Sequence, residues 1–217
     1  MAIKQLVYGQ QLSETMHAPR RTQAQRREES ENRLLAAAAE IIAEEGYLAC
    51  TLERVGERAG FSRGLASRKY GSKDGLIEAV IWKVSADVHG QIETAIAGIE
   101  SPLERLLVLL DQFVELVLRE VSVRAYFVLF SAMIANRLEV RAVFQEVQDR
   151  FAQRLEAMIR AAQEAGEVPP ARSPQTTAFV LGSLLAGMAV EVAMGNGEAA
   201  QATRPDMQAM MRAALAG

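Results

Sequence analysis

Residues Thr51–Lys73 read TLERVGERAGFSRGLASRKYGSK, two short helical stretches joined by a turn. Thr51 suits an N-cap, and Glu53 falls where the first-turn amides and the helix dipole favour an anion. Leu52, Val55 and Ala59 recur on one apolar face. Gly60 then supplies the left-handed residue that ends a helix, Phe61 packs back over that end, and Ser62 is placed to cap the next helix. From Arg63 to Lys73 the chain carries four cations and no acid. A helix-turn-helix that sets its second helix into a DNA major groove needs this order of parts.

Working outward, the first 30 residues are polar and without helical or strand period, and they read as a mobile arm. Ser30 or Asn32 caps the first core helix, which runs to about Glu45 with Leu35, Ala38 and Ile42 inward, and Gly46 ends it. The helix-turn-helix unit is therefore expected over 31–75, and a helical regulatory and dimerisation domain over 76–217. In the latter, Ser72 and Asp74 open a long helix reaching about Ala97, and Pro102 opens the next. Leu103–Val121, Val123–Asn136, Val140–Ala165, Gln175–Gly195 and Pro205–Ala216 are helical by period, and no stretch shows bounded strand alternation. The expected fold is all-α with about nine helices.

Composition narrows the function. Half of the 217 residues are hydrophobic and the net charge is −3, so any affinity for DNA rests on local clusters rather than on overall charge. Two clusters stand out: Arg20, Arg21, Arg26 and Arg27, and Arg63, Arg68, Lys69 and Lys73. The first reads either as an arm entering a minor groove or as a tail without a function. Cys50, the single cysteine, has no activating neighbour, and His17 and His89 have no partners at ligand spacing, so neither a metal nor another cofactor is expected. No nucleophile triad, phosphate-cradling glycine loop or HExxH helix is present, which disfavours an enzyme. The N-terminus has no signal-peptide pattern. Ala178–Gly195 is the most membrane-like segment, but it is short, carries Glu191 and holds three glycines, so it reads as a buried helix of a cytoplasmic protein without a membrane partner.

Residues from about Asn32 to Val80 resemble the DNA-binding domain of TetR-type transcriptional regulators. The resemblance rests on Gly46-Tyr47, Thr51, Glu57–Gly60, Ser62–Gly64, Tyr70 and Ser72–Asp74, which fill the family's spaced positions. Two departures are visible: Ala66-Ser67 stands where the family often has an aromatic, and Gly56 replaces a more usual alanine in the second helix. The resemblance implies a homodimeric, ligand-responsive regulator, most simply a repressor, acting on a palindromic double-stranded DNA operator.

The candidate DNA-binding residues are Thr51, Ser62, Arg63, Gly64, Ser67, Arg68, Lys69, Tyr70 and Lys73. Arg63 with Ser67 or Arg68 is placed to approach base edges. Lys69, Tyr70 and Lys73 are expected to hold phosphates, assisted by Thr51. The family wraps its middle helices around a ligand, and Phe113, Tyr126, Phe127, Phe130, Met133 and Met158 are the candidate lining, some of them also simple core. They point to an apolar or amphipathic effector, with Tyr126 and either Asn136 or Gln112 as polar contacts. The family also dimerises through its last two long helices. Here Leu181, Leu185, Met188, Val192 and Met211 supply area, with Gly182, Ala186 and Ala189 allowing close approach. The alternative is a helical ligand-binding or interaction module whose turn unit does not read DNA.

Overall fold

The computed structural model describes residues 22–136 and 139–216, and among these every regular element is a helix. There are nine α-helices: α1 Gln23–Glu45, α2 Leu52–Arg58, α3 Arg63–Tyr70, α4 Lys73–Ile96, α5 Pro102–Arg119, α6 Val121–Asn136, α7 Arg141–Glu164, α8 Pro174–Ala193 and α9 Gly197–Ala216. A single 3-10 turn, Tyr47–Ala49, links α1 to α2.

Two helices begin earlier than the sequence reading places them. The first starts at Gln23, not near Ser30 or Asn32. The Thr22 hydroxyl accepts from the Gln25 amide while the Gln25 side chain accepts from the Thr22 amide, a capping box that satisfies two orphan donors. Residues 22–30 are therefore not part of an arm, and Arg26 and Arg27 stand on an exposed helix rather than on an extended strand of chain. The first 21 residues, including His17, Arg20 and Arg21, lie outside the described residues. The last helix starts at Gly197, and Pro205 lies inside it instead of opening it.

Strong ion pairs fasten α9 to α5. The Arg204 guanidinium donates to both Asp111 oxygens, at 2.5 and 2.6 Å, and to Glu115. Arg212 grips Glu104, about two turns earlier than Asp111 on α5. The Arg204 hydrogen bonds hold the Asp111 carboxyl below its ordinary range, and those of Arg212 do the same for Glu104. Carboxylates of an unfolded chain titrate near pH 4, so the stability these pairs add is complete above about pH 4. It is lost as pH falls through the lower folded values. Urea unfolding should show this as a stability that declines in acid, and Arg204→Met should flatten the decline. An unchanged acid limb in that variant would mean that these pairs do not hold α9.

One continuous core runs through both ends of the chain, from Leu34, Ile41 and Val55 through Leu76, Ile77 and Ile81 to Leu109, Leu129, Phe144 and Leu185. Helix α4 packs against α1 and α3 at one end and against α5, α6 and α7 at the other. It links the turn unit to the larger bundle, together with α6, which packs directly against α1.

Candidate nucleic-acid interface and ligand cavity

The turn of Thr51–Lys73 forms as its residues dictate. The Thr51 hydroxyl accepts from the Arg54 amide and caps α2. At the other end Gly60 has φ +72, its amide reaches Glu57 O, and the Phe61 amide reaches Gly56 O at 2.9 Å. This paired closure is a Schellman motif and fixes the exit direction of the chain. Arg33 of α1 braces it, donating to Ala59 O at 2.5 Å and lying over the Phe61 ring. Gly56 has a clear role here: a β-carbon at this position would sit 3.1 Å from Ser62 O, so glycine lets the start of α3 close onto α2. Gly75 plays the same part at the α3–α4 joint, where a β-carbon would lie 2.4 Å from Tyr70 O.

Helix α3 buries Ala66, half-buries Leu65 and Tyr70, and turns Arg63, Gly64, Ser67 and Arg68 to solvent. These four positions share one face, which carries two guanidiniums and no acid. Ser62 occupies the N-cap with extended backbone, yet its side chain makes no capping hydrogen bond. Arg63 folds back onto α2, 2.7 Å from Glu53 and 2.9 Å from Glu57, with all three side chains largely exposed. Arg68 has no ion-pair partner among the described residues.

The expected phosphate-holding residues are differently employed. Lys73 points inward: its ammonium donates to Tyr47 O at 2.7 Å and lies 3.8 Å from the centre of the Tyr47 ring. It ties α4 to the α1–α2 link, and burial lowers its pKa. The Tyr70 hydroxyl is shut from solvent without a hydrogen-bond partner, and burial pushes its pKa up to about 12. Lys69 pairs with Glu31 of α1 at 2.8 Å. Desolvation and prior partners thus withdraw Lys73 and Tyr70 from the surface, while Arg63 and Arg68 remain on it. Cys50 is fully buried with its thiol pushed up to about 11, an inert core residue.

A cavity of about 560 Å³ lies among α4, α5, α6, α7 and α8. Phe113, Tyr126 and Phe127 line it as expected. Phe130 instead packs its ring against Phe127 and Phe144, and Met133 and Met158 sit in the core away from the cavity. Neither Asn136, whose amide donates to Ala132 O, nor Gln112 lines it. The polar contacts are others: Gln148, which donates to the Tyr126 hydroxyl, and Ser85, His89, Glu93, Arg150 and Arg154. These come from α4 and α7, far apart in sequence, so no local motif announces them.

The expected dimer residues also move. Leu181, Leu185, Val192 and Met211 are buried within the protomer and Met188 is half-buried, while Leu185 lines the cavity with Gly182 and Ala186. The outer face of α8 carries Phe179, Val180 and Leu184, with Met194 exposed just past its end and Met210 exposed on α9. Helix α8 is long and apolar enough to cross a membrane by length and composition, and only 28% of its most apolar window is buried. It is a helix with two apolar sides, one packed on α5, α6, α7 and α9, the other open.

A turn unit of this geometry at the head of a helical bundle has relatives. Residues 34–80 match the family described as bacterial regulatory proteins, tetR family, and residues 100–190 match the tetracyclin repressor-like C-terminal domain. The chain belongs to the TetR family. It is 34% identical over 79 residues to the HTH-type transcriptional regulator BetI 1 of Chromohalobacter salexigens, covering 36% of this chain and 39% of that protein. It is 26% identical over 145 residues to the HTH-type transcriptional regulator HbdR of Aromatoleum sp., covering 66% of this chain and 62% of that one. The chain therefore spans less than two thirds of each of these relatives. Its fold is similar to that of AibR, solved in complex with isovaleryl coenzyme A and operator DNA, with a TM-score of 0.65 and 19% identity over 84% of this chain and 97% of AibR.

Proposed function

We propose that this TetR-family chain is a homodimeric DNA-binding transcriptional regulator of the cytoplasm, acting as a repressor that an apolar or amphipathic small molecule releases from a palindromic operator. The observation that carries the reading is the acid-free outer face of α3, with Arg63, Gly64, Ser67 and Arg68 held on a turn closed by Gly60 and braced by Arg33. Arg63 at the helix start is the base-reading residue, and Arg68 and Ser67 extend the contact. Residues 31–75, with α2, α3 and the C-terminal part of α1, form the DNA-binding unit, and 76–217 form the regulatory and dimerisation unit, with α4 running from one into the other. AibR, which shares the fold, is known with both operator DNA and an acyl-coenzyme A ligand, and this supports extending a DNA and effector reading to the present chain.

Two-fold pairing through the outer faces of α8 and α9 supports a palindromic site, because it sets two α3 helices in symmetric positions. The cavity supports release: it touches α4, so a ligand that prefers one α4 position biases the spacing of the reading helices. A tenfold loss of operator affinity needs only about 1.4 kcal/mol of such preference. The test is duplex binding across a range of salt. The logarithm of the binding constant should fall linearly with the logarithm of salt, and a selected duplex should outcompete random duplex throughout. Binding to no duplex at low salt would leave the chain a helical ligand-binding module.

A further inference from the structure

The cavity is apolar at its floor and charged at its mouth. Phe113, Phe127 and Leu185 line the inner part, while Arg154 of α7 faces His89 and Glu93 of α4. Arg154 Nη1 lies 2.7 Å from His89 Nδ1. A guanidinium only donates, so in this contact the His89 Nδ1 accepts. Arg154 Nη2 lies 2.8 Å from Glu93 Oε1, but off the hydrogen-bonding direction, so this solvent-excluded N–H has no directed acceptor. Burial works against the charged form of Arg154, and Arg105 of α5 adds repulsion that Glu93 opposes. The other arginine at the mouth, Arg150, is already paired with Glu146 at 2.5 Å and stacked over Trp82. Arg154 is thus a half-buried cation with one solvent-excluded donor lacking a directed acceptor, facing a cavity of a size usual for small ligands.

We propose that the cavity binds an amphipathic carboxylate, with its hydrocarbon on the aromatic floor and its anionic head on the Arg154 fork, displacing Glu93. A carboxylate meets two guanidinium donors in parallel, which the off-axis Glu93 oxygen does not do. A cationic head would instead meet the like charge of Arg154 at the mouth. The assignment deepens, and rests on, the reading of this cavity as the effector site.

Decanoate, decanol and decyltrimethylammonium share one chain and differ only in the head, and Trp82, the single tryptophan, lines the cavity and reports binding by its fluorescence. At neutral pH the full-length protein should bind decanoate about tenfold or more tighter than decanol, as a charge-assisted pair requires. Arg154→Met should abolish that preference while leaving decanol affinity within about twofold. Glu93→Gln should tighten decanoate severalfold, because the competing carboxylate is gone, without affecting decanol; it decides the matter alone if Arg154→Met does not fold. Equal or tighter binding of decanol or decyltrimethylammonium, absence of decanoate binding, or weaker decanoate binding by Glu93→Gln would overturn the proposal. Duplex binding by the same samples separates the two readings. Protein that binds duplex but not decanoate loses this ligand class and keeps its DNA function, whereas protein that binds decanoate but no duplex loses the regulator reading alone.

Discussion

Alanine at both Arg63 and Arg68 should cost the protein most of its discrimination between its preferred duplex and random DNA. Each arginine that reads a base should contribute roughly 1–3 kcal/mol, about fivefold to 150-fold in relative affinity. The free protein offsets little of this: the Arg63 pairs with Glu53 and Glu57 are exposed, and such pairs contribute at most about 1 kcal/mol. Removing Arg63 also leaves those two carboxylates uncompensated next to the approaching phosphates, so affinity should fall for every duplex as well as for the preferred one. Lys73→Ala should behave differently. Its ammonium is committed to Tyr47 O and the Tyr47 ring, so the variant should melt earlier with little change in salt slope. Fluorescence anisotropy beside a thermal melt distinguishes these patterns, and an unchanged preference in a folded Arg63→Ala/Arg68→Ala protein would remove α3 from DNA recognition.

The second large effect concerns assembly. Phe179→Glu with Leu184→Glu should convert a dimer into folded monomers, since both side chains are already outside the protomer core. A stable pairing through α8 and α9 buries on the order of 2,000 Å², and two charges within it would each lack a partner. Leu185→Glu should instead unfold the protomer, because Leu185 is 1% exposed beneath the same helix. Light scattering with circular dichroism reads both outcomes. A wild-type monomer at micromolar concentration, or a dimer untouched by the double substitution, would contradict this interface.

Where function depends on local order, the chain was readable. Gly60, Phe61 and Ser62 specify a helix end and a restart within a few residues, and Thr51 and Ser72 make the caps that their types favour. The capping box of Thr22 and Gln25 was equally local, but the polar composition around it obscured the helix start. Helix α8 misled for another reason: with Val180, Leu181, Leu184 and Leu185 all apolar, helical period cannot say which side faces the core. That choice is made by packing on α5, α6, α7 and α9. The aromatic cluster was found, but Phe130 and Met133 could not be separated from the true lining, because a cavity is the space that crossing helices leave. The His89, Glu93 and Arg154 group arises in the same way, from the meeting of α4 and α7.

Selection from a pool of randomised duplexes tests the central claim most directly, because it asks whether this chain reads sequence at all and with what symmetry. The wild-type protein should enrich a site with two half-sites related by a two-fold axis, and the Arg63→Ala/Arg68→Ala protein should enrich none. Recovery of no preferred sequence by folded wild-type dimer, or of the same site by both proteins, would contradict the account.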